Sequence, residues 1–158
     1  MDFIATALAA NTVLADLAVT APVPQQVMPL LQTLLVPSAA PALHIVRWSS
    51  LFGDDLHDAL AAFAPVLGAA TKLRELHLSV PLGDAGFRLL APQFGRLTAL
   101  ELLDLEVQLS ELSVGELVSQ LAKLPTLREL CVRDKLEDVH GFAAAQLSRL
   151  TQVEVLLR

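Results

Sequence analysis

The 158-residue chain has one cysteine, no tyrosine, one tryptophan and only 18% charged residues. A single cysteine excludes a disulfide framework and a four-cysteine zinc site. Eleven basic residues face seventeen acidic ones, for a formal net charge of −6. That balance argues against a nucleic-acid binder, which carries a basic stripe. There is no Gly-rich phosphate loop, because Gly83 and Gly86 sit in a turn without the P-loop lysine and hydroxyl. What the chain has instead is apolar: 54% of it is hydrophobic, aromatics supply only 4%, and leucine occurs 35 times. This is not the composition of a disordered, solvating chain, and the length fits one domain with a real core.

Met1 to Asn11 is apolar, but it lacks a basic n-region and carries Asp2, which is not the pattern of a secretory signal. No acidic or strongly basic side chain lies between Asp16 and Arg47, a stretch long enough to cross a membrane. Pro22, Pro24, Pro29, Pro37 and Pro41 interrupt it, and each proline removes a backbone donor and restricts its neighbour. The stretch therefore reads as an irregular buried segment. No membrane association is expected, and the location expected is intracellular and cytoplasmic.

The strongest signal is internal repetition. Leu73, Leu76 and Leu78 share their spacing with Leu100, Leu103 and Leu105, and with Leu127, Leu130 and Val132. The step from Leu73 to Leu100 equals the step from Leu100 to Leu127. Val153 and Leu156 follow after a step shorter by one. Upstream, Leu43, Val46 and Trp48 form another copy, and Leu14, Leu17 and Val19 form the first, both at slightly longer steps. Every step has a length typical of solenoid repeats. The segments before the anchors align as well. Ile4, Leu8 and Asn11 correspond to Phe63, Leu67 and Ala70, then to Leu90, Phe94 and Leu97. Leu117, Leu121 and Leu124 come next, followed by Ala143, Leu147 and Leu150. Spacings of four and three place each set on one helical face. Only the proline-rich second unit, residues 20–42, breaks the pattern.

Helix starts are signalled by Asp54 or Asp55, by Asp84, by Asp138, and by Ser113-Val114-Gly115-Glu116, which has capping-box spacing with Ser113 as N-cap. Pro65 and Pro92 fall late in their helices, where proline ends or kinks the element. The unit is thus strand, loop, helix, return loop. A single unit cannot bury its apolar strand face, so the units must stack. Helices pack more widely than strands spaced ~4.8 Å apart, so the stack should curve with the sheet inside.

This pattern resembles the leucine-rich repeat superfamily, in its repeat length and helical outer segment most nearly the ribonuclease-inhibitor-like subclass. The turn Leu82-Gly83-Asp84-Ala85-Gly86 adds to the likeness. The resemblance implies one α/β domain over residues 1–158. It would be a right-handed solenoid, a horseshoe of about five to six repeats, with a parallel sheet on the concave face and helices on the convex face. The chain departs from the family where an asparagine or cysteine usually follows the third anchor. Those positions hold Pro22, Leu51, Pro81, Gln108 and Lys135, so the asparagine ladder is absent, and Pro81 suggests a shortened loop.

With the anchors facing inward, alternate residues face the concave side. These are Ile45, Arg47 and Ser49; Glu75, His77 and Ser79; Leu102, Asp104 and Glu106; and Glu129, Cys131 and Arg133. The first copy adds Asp16, Ala18 and Thr20, and the last adds Val155 and Leu157. Ile45, Leu102, Val155 and Leu157 would be exposed. A mixed-charge face with exposed apolar positions suggests protein binding. The binding face is assigned to Ile45, Arg47, Glu75, His77, Leu102, Asp104, Glu106, Glu129 and Arg133. His77, Asp104 and Cys131 fall on successive strands and are residue types of a nucleophilic site. Two strand spacings separate base from thiol, with the carboxylate between them, so neither catalysis nor a zinc site is expected.

Both ends carry repeat material without polar caps, and an open sheet edge can pair with another chain. The expected function is a non-catalytic protein-protein interaction module that presents a concave parallel sheet to a protein ligand, with no cofactor and no nucleic acid. The alternative is a structural subunit of a larger complex, binding or self-associating through its uncapped ends and edges.

Overall fold

Each of the six alternating segments forms a strand in the computed structural model, which describes residues 15–20, 44–49, 56–108, 110–134, 145, 147–148 and 150–157. The elements are β1 (Asp16–Thr20), β2 (Ile45–Ser49), α1 (Leu56–Ala69), β3 (Glu75–Gly83), α2 (Asp84–Phe94), β4 (Leu102–Gln108), α3 (Glu111–Leu121), β5 (Glu129–Asp134) and β6 (Glu154–Leu157). The strands make one parallel sheet in chain order. Apart from Thr20, the proline-rich segment 20–42 lies outside the described residues, as do the aligned positions Ile4, Leu8, Asn11 and Ala143 and the cap candidates Asp54, Asp55 and Asp138.

The register converts the sequence pattern into continuous rows. One row runs Leu17–Val46–Leu76–Leu103–Leu130–Val155, and a second runs Val19–Trp48–Leu78–Leu105–Val132–Leu157. The four central members of each row are buried. Leu60, Phe63 and Leu67 of α1, Phe87, Leu90 and Phe94 of α2, and Val114, Leu117 and Leu121 of α3 join them in one core. Trp48 meets Phe63 edge-on, with centroids 5.0 Å apart, and ties β2 to α1. The helices therefore lie on one side of the sheet, and they pack α1 on α2 and α2 on α3. Gly86 permits that approach, because a Cβ there would stand 2.7 Å from Leu60 Cδ1.

Backbone hydrogen bonds explain the apolar spacing of three before β3, β4 and β6. Leu67–Ala70–Leu73, Phe94–Leu97–Leu100 and Leu147–Leu150–Val153 are chains of bonds in which each N–H donates to the carbonyl three positions back. Each chain turns an apolar side chain inward at every third position. Beyond these turns, one carbonyl accepts two N–H groups from the next unit: Ala15 from His44 and Ile45, His44 from Arg74 and Glu75, Arg74 from Glu101 and Leu102, and Glu101 from Arg128 and Glu129.

The last unit differs from the sequence expectation. Val153 takes the first-anchor turn, yet Val155, not Leu156, pairs with Leu130. One residue fewer separates turn from strand, and a one-residue slip exchanges the faces. Val155 accordingly packs against the core instead of lying on the open face.

Three helix-end expectations also change. Pro65 and Pro92 stand inside α1 and α2 without ending them. Both are exposed, and so are Ala61 and Arg88, whose carbonyls would have accepted their missing N–H groups, so these helix faces look outward from the core. The N-cap of α3 is Ser110, and Ser113 is buried within the helix. The N-cap of α2 is Gly83, with Asp84 as first helical residue. Strand β3 runs through Pro81, its register shifts between Leu78 and Leu82, and α2 follows without a loop. Among the described residues, no helix is long and apolar enough to cross a membrane.

Further bonds between units come from side chains outside the repeat anchors. Thr126 Oγ1 donates within 2.9 Å of Thr98 O and 2.8 Å of Leu100 O, and Gln152 Nε2 donates to Leu124 O at 3.2 Å. At the opposite turn, Asp84 Oδ1 accepts the Ser110 N–H at 2.8 Å. That bond is the main reason the Asp84 carboxyl lies below its usual range. The nearby Ser113 hydroxyl adds to the effect, although its geometry falls short of a hydrogen bond, and burial opposes it. A depressed carboxylate stabilises the fold above its unfolded pKa, and that stability is lost as pH falls through the folded value. Asp84→Asn should therefore cost about 0.5 kcal/mol at neutral pH, a charge-assisted bond discounted for solvent screening. In urea melts across the acid range the deficit should vanish as wild-type Asp84 protonates; a deficit independent of pH would contradict this role.

Candidate functional site

The face opposite the helices carries the alternate residues, and the same register lines them up. At the strand starts the row is Asp16–Ile45–Glu75–Leu102–Glu129–Glu154. The middle row is Ala18–Arg47–His77–Asp104–Cys131–Leu156. Beyond it Ser49 pairs with Ser79, and Glu106 with Arg133. All nine residues assigned from sequence to a binding face are thus brought to one side of β2 to β5. Among the described residues no other element packs over them.

Their exposure is less uniform than the alternation implies. Arg47 is exposed, whereas Ile45, Glu75, His77, Leu102, Glu106, Glu129 and Arg133 are half-buried. Ile45 and Leu102, expected to be exposed, each lie between acidic register partners: Asp16 and Glu75 flank Ile45, and Glu75 and Glu129 flank Leu102. Asp104 departs furthest, since its side chain is only 10% exposed. His77 Nδ1 lies 3.3 Å from Asp104 Oδ2, and the Arg133 guanidinium donates to the same oxygen from the next strand. The Asp104 carboxylate is thus held between neighbours on both sides and is not presented to solvent. It raises the Arg133 guanidinium above its ordinary value, with burial opposing. A raised basic group stabilises the fold below its unfolded pKa, so this contribution is complete throughout the physiological range.

His77 Nε2 is 3.5 Å from Glu75 Oε2 and is not hydrogen-bonded to it. Arg47 pairs with Asp16 across β1 and β2, where both side chains are largely solvated. Cys131 is buried in register with Asp104, so the order His77–Asp104–Cys131 keeps carboxylate between imidazole and thiol, as the repeat spacing implies. His57 is exposed on α1, and His44 precedes β2 with Nδ1 3.4 Å from Lys72 O. Among the described residues no group of three His, Cys, Asp or Glu side chains converges on a possible metal position.

A cavity of about 460 Å³ opens on this face. Arg47, His77, Asp104 and Arg133 line it together with Ser49 and Ser79. The two serines follow the same alternation but carried no chemical signal in the sequence. Trp48, an interior anchor, also contributes to the lining.

No model of a known protein family matches the chain, and no curated protein is similar to it at a significant level.

The unequal exposure has a thermodynamic consequence. Asp104→Asn leaves Arg133 and His77 facing a neutral group in a half-buried setting and should cost about 2 kcal/mol. Asp16→Asn, which removes only a solvated pair, should cost less than about 1 kcal/mol. Urea unfolding measures both, and equal losses would reduce the Asp104 cluster to an ordinary surface pair.

Proposed function

We propose that the chain is a leucine-rich-repeat solenoid of the ribonuclease-inhibitor-like kind. In this reading it has about five to six repeats, its sheet is concave and its helices are convex. Six parallel strands in chain order, the first five joined by a recurring two-donor carbonyl, support this reading. In function it is a non-catalytic, cofactor-free interaction module that presents the sheet to a protein ligand inside the cell, in the cytoplasm. One observation carries the functional reading: Arg47, Glu75, His77, Glu106, Glu129 and Arg133 stand on adjacent strands of a face that no described element covers. Charges held in fixed register on a rigid sheet suit selection of a complementary protein surface.

A second reading, a subunit that assembles through its ends and edges, draws on β1 and β6 standing at the two edges of the sheet. Affinity capture from native lysate separates the two. A Glu75→Lys, Glu129→Lys double variant reverses charge at two half-buried positions and leaves the Asp104–Arg133 pair intact. It should keep the wild-type circular dichroism and lose the captured partner. Retention of the same partner by the folded variant would overturn the open-face reading and favour the edges.

A further inference from the structure

The cavity on the open face gathers two arginines of an acidic chain. Its charged lining consists of two guanidiniums and one carboxylate, while the whole chain carries a net −6. The carboxylate is already engaged, because His77 and Arg133 both approach Asp104 Oδ2. Arg47 meets Asp16 through Nη1, and Arg133 meets Asp104 through Nη2 with Cys131 as a further neighbour. A guanidinium has five N–H donors in a planar fork, so a contact through one nitrogen leaves most of that fork for another acceptor. Both arginine side chains are 43% exposed, which leaves them accessible to a ligand. The hydroxyls of Ser49 and Ser79 belong to the same lining.

We infer that this cavity is the carboxylate-reading subsite of the proposed protein-binding face, taking the side chain of an aspartate or glutamate from an acidic segment of a protein partner. The inference rests on the protein-binding reading. A segment is favoured over a free anion because Ile45 and Leu102, half-buried one row away, offer apolar contacts that a small anion cannot use. The surroundings also set its orientation. Asp16, Glu75, Glu129 and Glu154 line the strand starts, where they repel a second carboxylate and suit basic groups of the same partner, the contacts that the Glu75→Lys, Glu129→Lys variant removes. The acidic side chain is therefore directed to the arginine half of the face.

Fluorescence anisotropy with the full chain tests this with a labelled oligoglutamate peptide, an oligolysine peptide, and free glutarate as competitor. Oligoglutamate should bind in preference to oligolysine. Arg47→Gln, an exposed change with circular dichroism as fold control, should weaken binding about tenfold, the worth of a charge-assisted contact. Glu129→Gln should tighten it, because a repelling charge is removed. Failure of oligoglutamate to bind, preference for oligolysine, or affinity indifferent to Arg47→Gln would overturn the subsite. Glutarate competing as effectively as the peptide would make it a free-anion site and overturn the segment reading. If oligoglutamate fails while the Glu75→Lys, Glu129→Lys variant still loses its partner, the subsite alone falls and the protein-binding reading stands.

Discussion

Two rows of aliphatic side chains, repeated at the same height in successive strands, govern this structure. In a parallel pair, residues at equivalent positions sit side by side, and a strand alternates its faces with period two. Once Val46, Leu76, Leu103 and Leu130 form one row and Trp48, Leu78, Leu105 and Val132 the next, every residue between them must face the other way. Burying the two rows against the helices is the main driving force, since one buried leucine is worth about 2 kcal/mol or more. The positions of Arg47, His77 and Asp104 follow from it. The open face is a by-product of core registration.

That link explains why so much was legible in the sequence. A nearly constant repeat interval, with anchors at fixed offsets, located all six strands and placed Phe63, Leu67, Leu90, Phe94, Leu117 and Leu121 on buried helical faces. Alternation then assigned the open-face residues correctly from β2 to β5. The slip in β6 escaped because Leu156 and Val155 are both apolar; only the pairing with Leu130 shows which one continues the row. Ser113 had capping-box spacing, but the helix begins one turn earlier at Ser110, where Asp84 of the preceding turn receives the backbone N–H. A local motif cannot register a partner that belongs to the preceding unit.

The chemistry of the face was less legible than its membership. Alternation says which side a residue takes and nothing about what covers it there. Asp104 is buried because Arg133, one strand over and one row along, reaches back to it while His77 closes the other flank. Thr126 and Gln152 join neighbouring turns that precede β4, β5 and β6. Both interactions are long-range and depend on side-chain reach. Pro65 and Pro92 show the reverse situation, in which a strong local signal does not end the helix and the proline stands on its exposed side.

Thiol accessibility at neighbouring positions of β3 tests the registration most directly. In a Cys131→Ala background, a cysteine replacing Glu75 should react promptly with a maleimide under native conditions. A cysteine replacing Leu76, whose side chain is fully buried, should react far more slowly until the chain is unfolded. Equal native rates, or the opposite order, would contradict the alternation on which both the core and the proposed binding face depend.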